Sequence, residues 1–261
     1  MSHPRAIPAT DLLAFDQLAL ASLPEGFEAL DLSPVLPLGG HGALAPVHQD
    51  RVLTTVRGTE VAADPTNALA LECAVRRKAL LASSPRSAKP VRLAASQRQL
   101  RCQTFEGPAT VAHFRLLALC TSGRDEGDLR FETRAMVEHL GFYLGLLSAV
   151  RSLKLHADRP RVIVQALDPT QLPRLRDRVV DVLAPRFPDA SFELGTMDGG
   201  PTGYFSVTRA TIHATPPAGE ELHLVDCGFT DWTQKLLASR KERLCTSGIG
   251  TERLWMAFRA P

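Results

Sequence analysis

Val91-Arg-Leu-Ala-Ala-Ser-Gln-Arg-Gln-Leu-Arg-Cys-Gln103 and Ala112-His-Phe-Arg-Leu-Leu-Ala-Leu-Cys-Thr121 are two β-prone runs separated by a loop that holds Glu106-Gly107-Pro108. Runs of this length with Gly-Pro punctuation between them predict an antiparallel pair closed by a long loop. Upstream, Asp64-Pro65-Thr66-Asn67 opens an apolar-periodic segment that ends in Arg76-Arg77-Lys78. Asp64 suits an N-cap, Pro65 the first turn, and the basic residues the negative end of the helix dipole, so a helix is predicted there. Residues 10–23 place Leu12, Phe15 and Leu18 on one helical face, and residues 27–38 read as an edge strand entering a bend at Pro34, Pro37 and Gly39-Gly40. Downstream, the spacing predicts a long helix over 128–153, a strand over 161–165, and a helix over 172–183 entered through Asp168-Pro169. Residues 191–225 alternate apolar and polar with Gly and Pro between, which predicts a β-meander, and Gly248-Ile-Gly reads as a turn opening a terminal helix. Helices interleaved with adjacent strand pairs, rather than a βαβ alternation, predict an α+β fold, an antiparallel β-sheet flanked by helices, in a single domain over 1–261.

The composition agrees with a packed domain: 261 residues, 44% hydrophobic and 22% charged, suffice to bury a core and exclude a disordered or fibrous chain. No apolar run approaches the ~18 residues of a membrane span, and Met1-Ser-His-Pro-Arg5 lacks the basic-then-apolar pattern of a secretory leader, so no membrane and a cytoplasmic location are expected. A formal charge of +2 gives no electrostatic demand for a polyanionic partner. Five cysteines without a CxxC pair, in a reducing compartment, predict free thiols rather than disulfides or structural zinc; His113 between Cys102 and Cys120 is scatter of the kind that arises by chance. Neither G-x-G-x-x-G after the first strand nor G-x-x-x-x-G-K-[ST] is present.

Three segments, in order, resemble the signature motifs of class II aminoacyl-tRNA synthetases, the histidyl type above all. The first is the helix to Leu23 with Phe27-Glu-Ala-Leu-Asp-Leu-Ser-Pro34, similar to the family's dimerisation motif, which implies an isologous homodimer. The second is the paired run from Val91 to Gln103 with His113-Phe114-Arg115 on the return. The third is Gly248-Ile-Gly-Thr-Glu-Arg-Leu254. The resemblance implies that Arg101 grips the α-phosphate of ATP and the substrate carboxylate, that Phe114 stacks on adenine, and that Arg253 meets the outer phosphates. Gln103, His113, Gly248, Gly250 and Glu252 complete the implied ATP site, with Mg2+ held by Glu252 and less readily by Glu132. For the substrate it implies Glu60 on the amino group and Cys120, Tyr204, Asp226 and Asp231 around the pocket. Arg suits such oxyanions because its planar fork binds bidentately and stays charged. Each residue also has a plainer role: a surface ion pair for Arg101, core filling for Phe114, turn capping for Asp226 and Asp231, a loop acid for Glu60.

The departures from that pattern matter as much. Arg101-Cys102-Gln103 stands where the family has Arg-x-Glu; Phe114 is followed by Arg-Leu-Leu-Ala-Leu-Cys120 in place of substrate-holding Gln and Glu. Gly199-Gly-Pro-Thr-Gly-Tyr-Phe205 resembles the histidyl-specific turn with glycine at the position of its catalytic arginine. With Arg253 about eight residues from the end of the sequence, no C-terminal anticodon-binding domain is expected, and tRNA is disfavoured as acceptor. The basic run Lys235, Arg240, Lys241 and Arg243 reads as a phosphate-attracting patch or a solvated face. Two readings follow. One is ATP-dependent activation of a carboxylic acid, such as an amino acid, as an acyl-adenylate, with transfer to a small molecule or carrier protein. The other is a catalytically silent paralogue that binds a small ligand and regulates a partner enzyme.

Overall fold

The computed structural model describes residues 7–45, 48–102, 112–197, 204–217 and 219–259. Gln103 and the glycine-rich turn at 198–203 lie outside the described residues. In chain order the elements are α1 (Ala9–Ala21), β1 (Glu28–Ala29), β2 (Val35–Pro37), α2 (Gly40–Leu44), β3 (Thr59–Val61), α3 (Pro65–Ser83), β4 (Val91–Leu100), β5 (His113–Arg124), α4 (Arg130–Ala149) and β6 (Arg161–Ala166). There follow α5 (Leu172–Leu175), α6 (Asp181–Leu183), β7 (Ser191–Thr196), β8 (Thr208–Ala214), β9 (Leu222–Thr230), α7 (Trp232–Leu236), β10 (Glu242–Gly250) and α8 (Thr251–Phe258). Arg176–Val180, between α5 and α6, is wound as a π-helix. Among the described residues, no helix is long and apolar enough to cross a membrane.

Eight strands form one sheet in the order β1-β4-β5-β10-β9-β8-β6-β7, and β2 with β3 forms a separate small ribbon. All neighbours in the large sheet are antiparallel except the outermost pairs, β1 with β4 and β6 with β7. Four sequence expectations require correction. Residues 27–38 are not one edge strand: 28–29 form β1 at the edge of the large sheet and 35–37 form β2 of the separate ribbon. β7 lies parallel beside β6, so residues 191–225 are not one meander; the meander is β8, β9 and β10. Residues 242–250, not foreseen as a strand, form β10 near the sheet centre, because most of its residues are buried on both faces and no polar alternation marks it. Gly39-Gly40 starts the short helix α2 rather than only a turn.

Strand alternation divides this sheet into two faces. On one, Leu117, Leu119, Cys245, Ile249, Val225 and Ile212 pack with α1, α4 and α8 in the larger core. On the other, Leu93, Ala95, Ala118, Cys120 and Leu244 pack with Leu69, Ala70 and Cys73 of α3 and with Trp232. α3 begins as its sequence dictates: the Asp64 carboxylate accepts from the Thr66 N–H at 2.9 Å with Pro65 at the first position. It is tied to β10 by a fully buried ion pair, in which Arg77 Nε and Nη2 donate to the two oxygens of Glu242 at 2.8 and 2.9 Å. Nη1 donates to the Lys89 carbonyl at 2.8 Å, so the guanidinium is satisfied on several sides. Arg77→Ala, which strands the Glu242 carboxylate in the core, is expected to lower unfolding free energy by about 3–5 kcal/mol. In urea denaturation, Arg77→Met with Glu242→Gln should recover part of that loss.

Candidate ligand site on the open face of the sheet

Gln97, Gln99 and Arg101 continue the row begun by Leu93 and Ala95, so they face α3. Gln99 lies opposite Phe114 in the β4–β5 ladder, which brings Phe114 to the same face. β10 and β9 extend this face with Thr246, Gly248, Gly228 and Asp226, since Gly248 is paired with both Ala118 and Asp226. The side chains here are small, and the floor is low. Gly228 is obligatory: a Cβ there would stand 2.4 Å from the Phe205 ring, which lies on it.

The N-terminus of α3 roofs this floor. Arg101 Nε donates to the Ala63 carbonyl at 3.0 Å and Nη2 to Asp64 Oδ2 at 3.2 Å, while its Cζ stands 5.0 Å from the Phe114 ring centroid. Asp64 Oδ1 also accepts from the Thr66 hydroxyl at 2.7 Å, and that hydroxyl is 3.4 Å from the Tyr204 OH. Tyr204 packs edge-on between Phe205 and Trp232 at 4.7 and 5.3 Å, and burial pushes its phenol well above the usual range. Cys120 forms part of the floor, its thiol raised by burial and donating weakly to the Thr66 carbonyl at 3.8 Å. Asp64 and Thr66 are therefore site residues that sequence reasoning assigned only to a helix cap. The signal was present, because an Asp-Pro-Thr cap directs polar groups to wherever the helix N-terminus points.

Among the polar atoms in this region that find no partner among the described residues are both amide atoms of Asn67, both of Gln99, and Trp232 Nε1. All three residues are buried. Asn67 lies on the α3 stripe that includes Ala70, Ala74 and Arg77, and Gln99 is two residues from Arg101 on β4. Buried amides without partners are rare and costly, which makes them the strongest mark of a ligand on this face.

The other expected residues are distributed differently. Arg253, in the first turn of α8, donates through Nη1 to the His223 carbonyl at 3.0 Å. Asp226 accepts from Arg209 at 2.6 Å and lies 3.4 Å from His223 Nε2, at the far side of the open face. Asp231 stands at the N-cap position of α7, where its side chain makes no capping hydrogen bond but pairs with Lys235 at 2.9 Å. Gly248 is needed for close packing, since its Cβ would stand 3.2 Å from Leu116, whereas a Cβ on Gly250 would meet only the Arg253 Cβ at 3.7 Å. Glu252 and His113 do not join Arg101. Arg98, three residues from Arg101 and so on the opposite face, donates to Glu252 Oε1 at 2.6 Å and lies 3.1 Å from His113 Nδ1. A carboxylate engaged by arginine behind the sheet does not fit Mg2+ held beside Arg101. Glu132 is likewise bound by Arg243, at 2.8 Å. The His113, Cys102 and Cys120 combination does not assemble, because His113 and Cys120 face opposite ways along β5.

Glu60 belongs to a separate buried network. Its oxygens accept from the Gly39 and His41 N–H groups, both at 2.9 Å, from Gln49 Nε2 at 2.7 Å and from His41 Nδ1 at 2.6 Å. The Ala63 N–H donates to His41 Nε2 at 2.9 Å, which puts the ring proton on Nδ1. Burial pushes the carboxyl upward, but its donors, with the His41 and Gly39 backbone groups among them, overcome this and hold it at about 2.

This architecture is that of a class II aminoacyl-tRNA synthetase catalytic core, as comparison with solved structures shows. Among its histidyl-type neighbours is an ATP phosphoribosyltransferase regulatory subunit/histidyl-tRNA synthetase from Bacillus halodurans C, with TM-score 0.69, 10% identity, and coverage of 100% of this chain and 83% of that one. A histidine–tRNA ligase subunit from Alicyclobacillus acidocaldarius gives 0.66 at 12% identity, covering 98% and 95%, and the apo histidyl-tRNA synthetase of S. aureus gives 0.66 at 10%, covering 98% and 70%. At these identities the likeness is one of fold. No family model and no curated protein matches the chain.

The Glu60 network makes a pH signature. Because its folded value of about 2 lies below the ordinary 4.5, its stabilisation is fully present above pH 4.5 and is lost as pH falls towards 2. Glu60→Gln is expected to cost about 2–3 kcal/mol at neutral pH, with the gap from wild type closing through that acid window in pH-dependent denaturation curves.

Proposed function

We propose that this protein binds a small polar ligand, of amino-acid chemistry, on the open face of its sheet and acts through that complex on a partner enzyme, without forming an adenylate. The observation that carries this reading is the set of partnerless buried amides of Asn67 and Gln99 beside the Asp64–Arg101 pair. An amino acid offers an ammonium for Asp64 and Thr66, a carboxylate for Arg101, and donors and acceptors for the amides. The class II fold and a regulatory subunit among its neighbours support the partner role.

The presence of Arg101 and Arg253 does not require ATP, because each has a structural use: Arg101 fastens α3 to β4, and Arg253 fastens α8 to β9. Among the described residues Glu252 is engaged by Arg98 and Arg101 lies over the ring on which adenine would stack, which favours the small-ligand reading over triphosphate and Mg2+. The second reading, an adenylate-forming ligase with ATP and Mg2+, is favoured by Arg101 and Phe114 sharing one face and by Arg253 in the first turn of a helix. An isologous homodimer through α1 and β1 accompanies either reading; a carrier protein as acceptor belongs to the ligase alone.

Calorimetry across the standard amino acids is expected to find one that binds, with affinity lowered at least tenfold by Asp64→Asn and by Arg101→Ala. ATP–pyrophosphate exchange with Mg2+ and that amino acid should stay at background. Exchange that depends on Arg101 would establish the ligase instead, and folded protein that binds no member of the panel would remove the amino-acid reading.

A further inference from the structure

On the packed face of the sheet, His139 of α4, Cys227 of β9 and Cys245 of β10 converge. All three are fully buried, and one ligand atom from each lies within 4.8 Å of the others. Cys227 and Cys245 are diagonal neighbours in the β9–β10 ladder, since Cys227 is paired with Ser247 and Cys245 with Phe229. Their sulfurs are 3.9 Å apart, and Cys245 Sγ is 3.7 Å from His139 Nδ1. Tetrahedral coordination with Zn–S of about 2.3 Å and Zn–N of about 2.0–2.1 Å requires S···S near about 3.8 Å and S···N near about 3.5 Å. The Cys227–Cys245 and Cys245–His139 pairs lie within a few tenths of an ångström of those spacings, and Cys227 and His139 come within 4.8 Å.

We propose that His139, Cys227 and Cys245 form a binding site for a thiophilic d10 cation, Zn2+, that pins α4 to the two central strands. Ser247 Oγ accepts from His139 Nδ1 at 2.7 Å and donates onward to the Tyr143 hydroxyl at 3.2 Å; when the cation takes Nδ1, the ring proton moves to Nε2. The other ring nitrogen, Nε2, lies 2.9 Å from the Thr121 hydroxyl, which orients the imidazole with Nδ1 towards the sulfurs. Two thiolates and an imidazole select a soft cation over Mg2+ or Ca2+. In charge the site balances: Zn2+ displaces the two thiol protons to solvent, leaving a neutral centre in an apolar core. Thr121, Ser247, Cys245 and the edge of Phe27, whose ring centroid is 5.7 Å away, face the imidazole, and the positive charge of Arg92 on β4 also acts on it. A site so enclosed is filled as the chain folds, not afterwards.

The inference is independent of the ligand on the open face. The test is zinc content of the full chain, purified without chelator from zinc-supplemented cells, and of chain refolded with Zn2+; about one zinc per chain is expected in both. Refolding with Co2+ should give sulfur-to-cobalt charge-transfer absorption in the near ultraviolet. Cys227→Ala with Cys245→Ala should bind less than a tenth as much zinc while keeping its circular dichroism, and removing the metal by denaturation with chelator should expose five titratable thiols. Wild-type protein that is folded and zinc-free after both treatments, zinc retained in full by the folded double variant, or only three thiols, which would mean a disulfide, each overturns the proposal. The first and last of these do not depend on the variant folding.

Discussion

The register of β10 against β5 and β9 is the constraint from which the two faces of this protein follow. A slip of one residue would exchange them, sending Thr246 and Gly248 into the packed core and Cys245, Ser247 and Ile249 to the open side. Both ends of the strand are fixed by buried carboxylates. Glu242, its first residue, is gripped by Arg77 of α3, and Glu252, two residues past its end, by Arg98 of β4. A carboxylate deprived of its arginine in either position would be a buried charge, so the pairs discriminate against slipped registers more sharply than apolar packing could. Glu252 and Arg253 then leave the same helical turn in different directions, one to β4 and the other to His223 at the start of β9.

With the faces set, their chemistry diverges. The packed face carries Leu, Ile, Val and Phe against three helices. The open face keeps Ala118, Gly228, Thr246 and Gly248 as a low floor, over which Tyr204 and Phe205 lie on one side and the N-terminus of α3 on the other. Asp64 joins local structure to site: one oxygen caps the helix, and the other meets Arg101. The position of the helix end and the position of the guanidinium are thereby one geometric fact.

Much of this was legible in the sequence where a residue's role is local. The Asp-Pro cap of α3 and the β4–β5 pair lie where composition and punctuation put them, and the ordered motifs pointed to the class II fold. β10 was not legible, because a strand buried on both faces loses the alternation by which strands are recognised, and ERLCTSGIG resembles a turn more than a strand. Glu60 and Asp64 are four residues apart, yet one is enclosed by His41, Gln49 and two backbone donors while the other faces Arg101; only the path of the chain through β3 separates them. Asp64 was hidden by its own clarity, since an evident cap needs no second explanation. The facing of Arg98, His113 and Glu252 away from Arg101 depends on strand register, which a long loop between two strands leaves unspecified in sequence.

The same arrangement explains how occupancy of the open face could be felt elsewhere. The amide atoms of Asn67 and Gln99 that find no partner among the described residues are buried at a cost of about 1–3 kcal/mol for each unpaired group, where α3 packs on β4. A ligand that supplies their partners would remove that cost. The helix so stabilised at its N-terminus is the one whose Arg77, ten residues further on, holds Glu242 and with it the register of β10. The helix whose first turn borders the open face is therefore also the element that fixes the central strand.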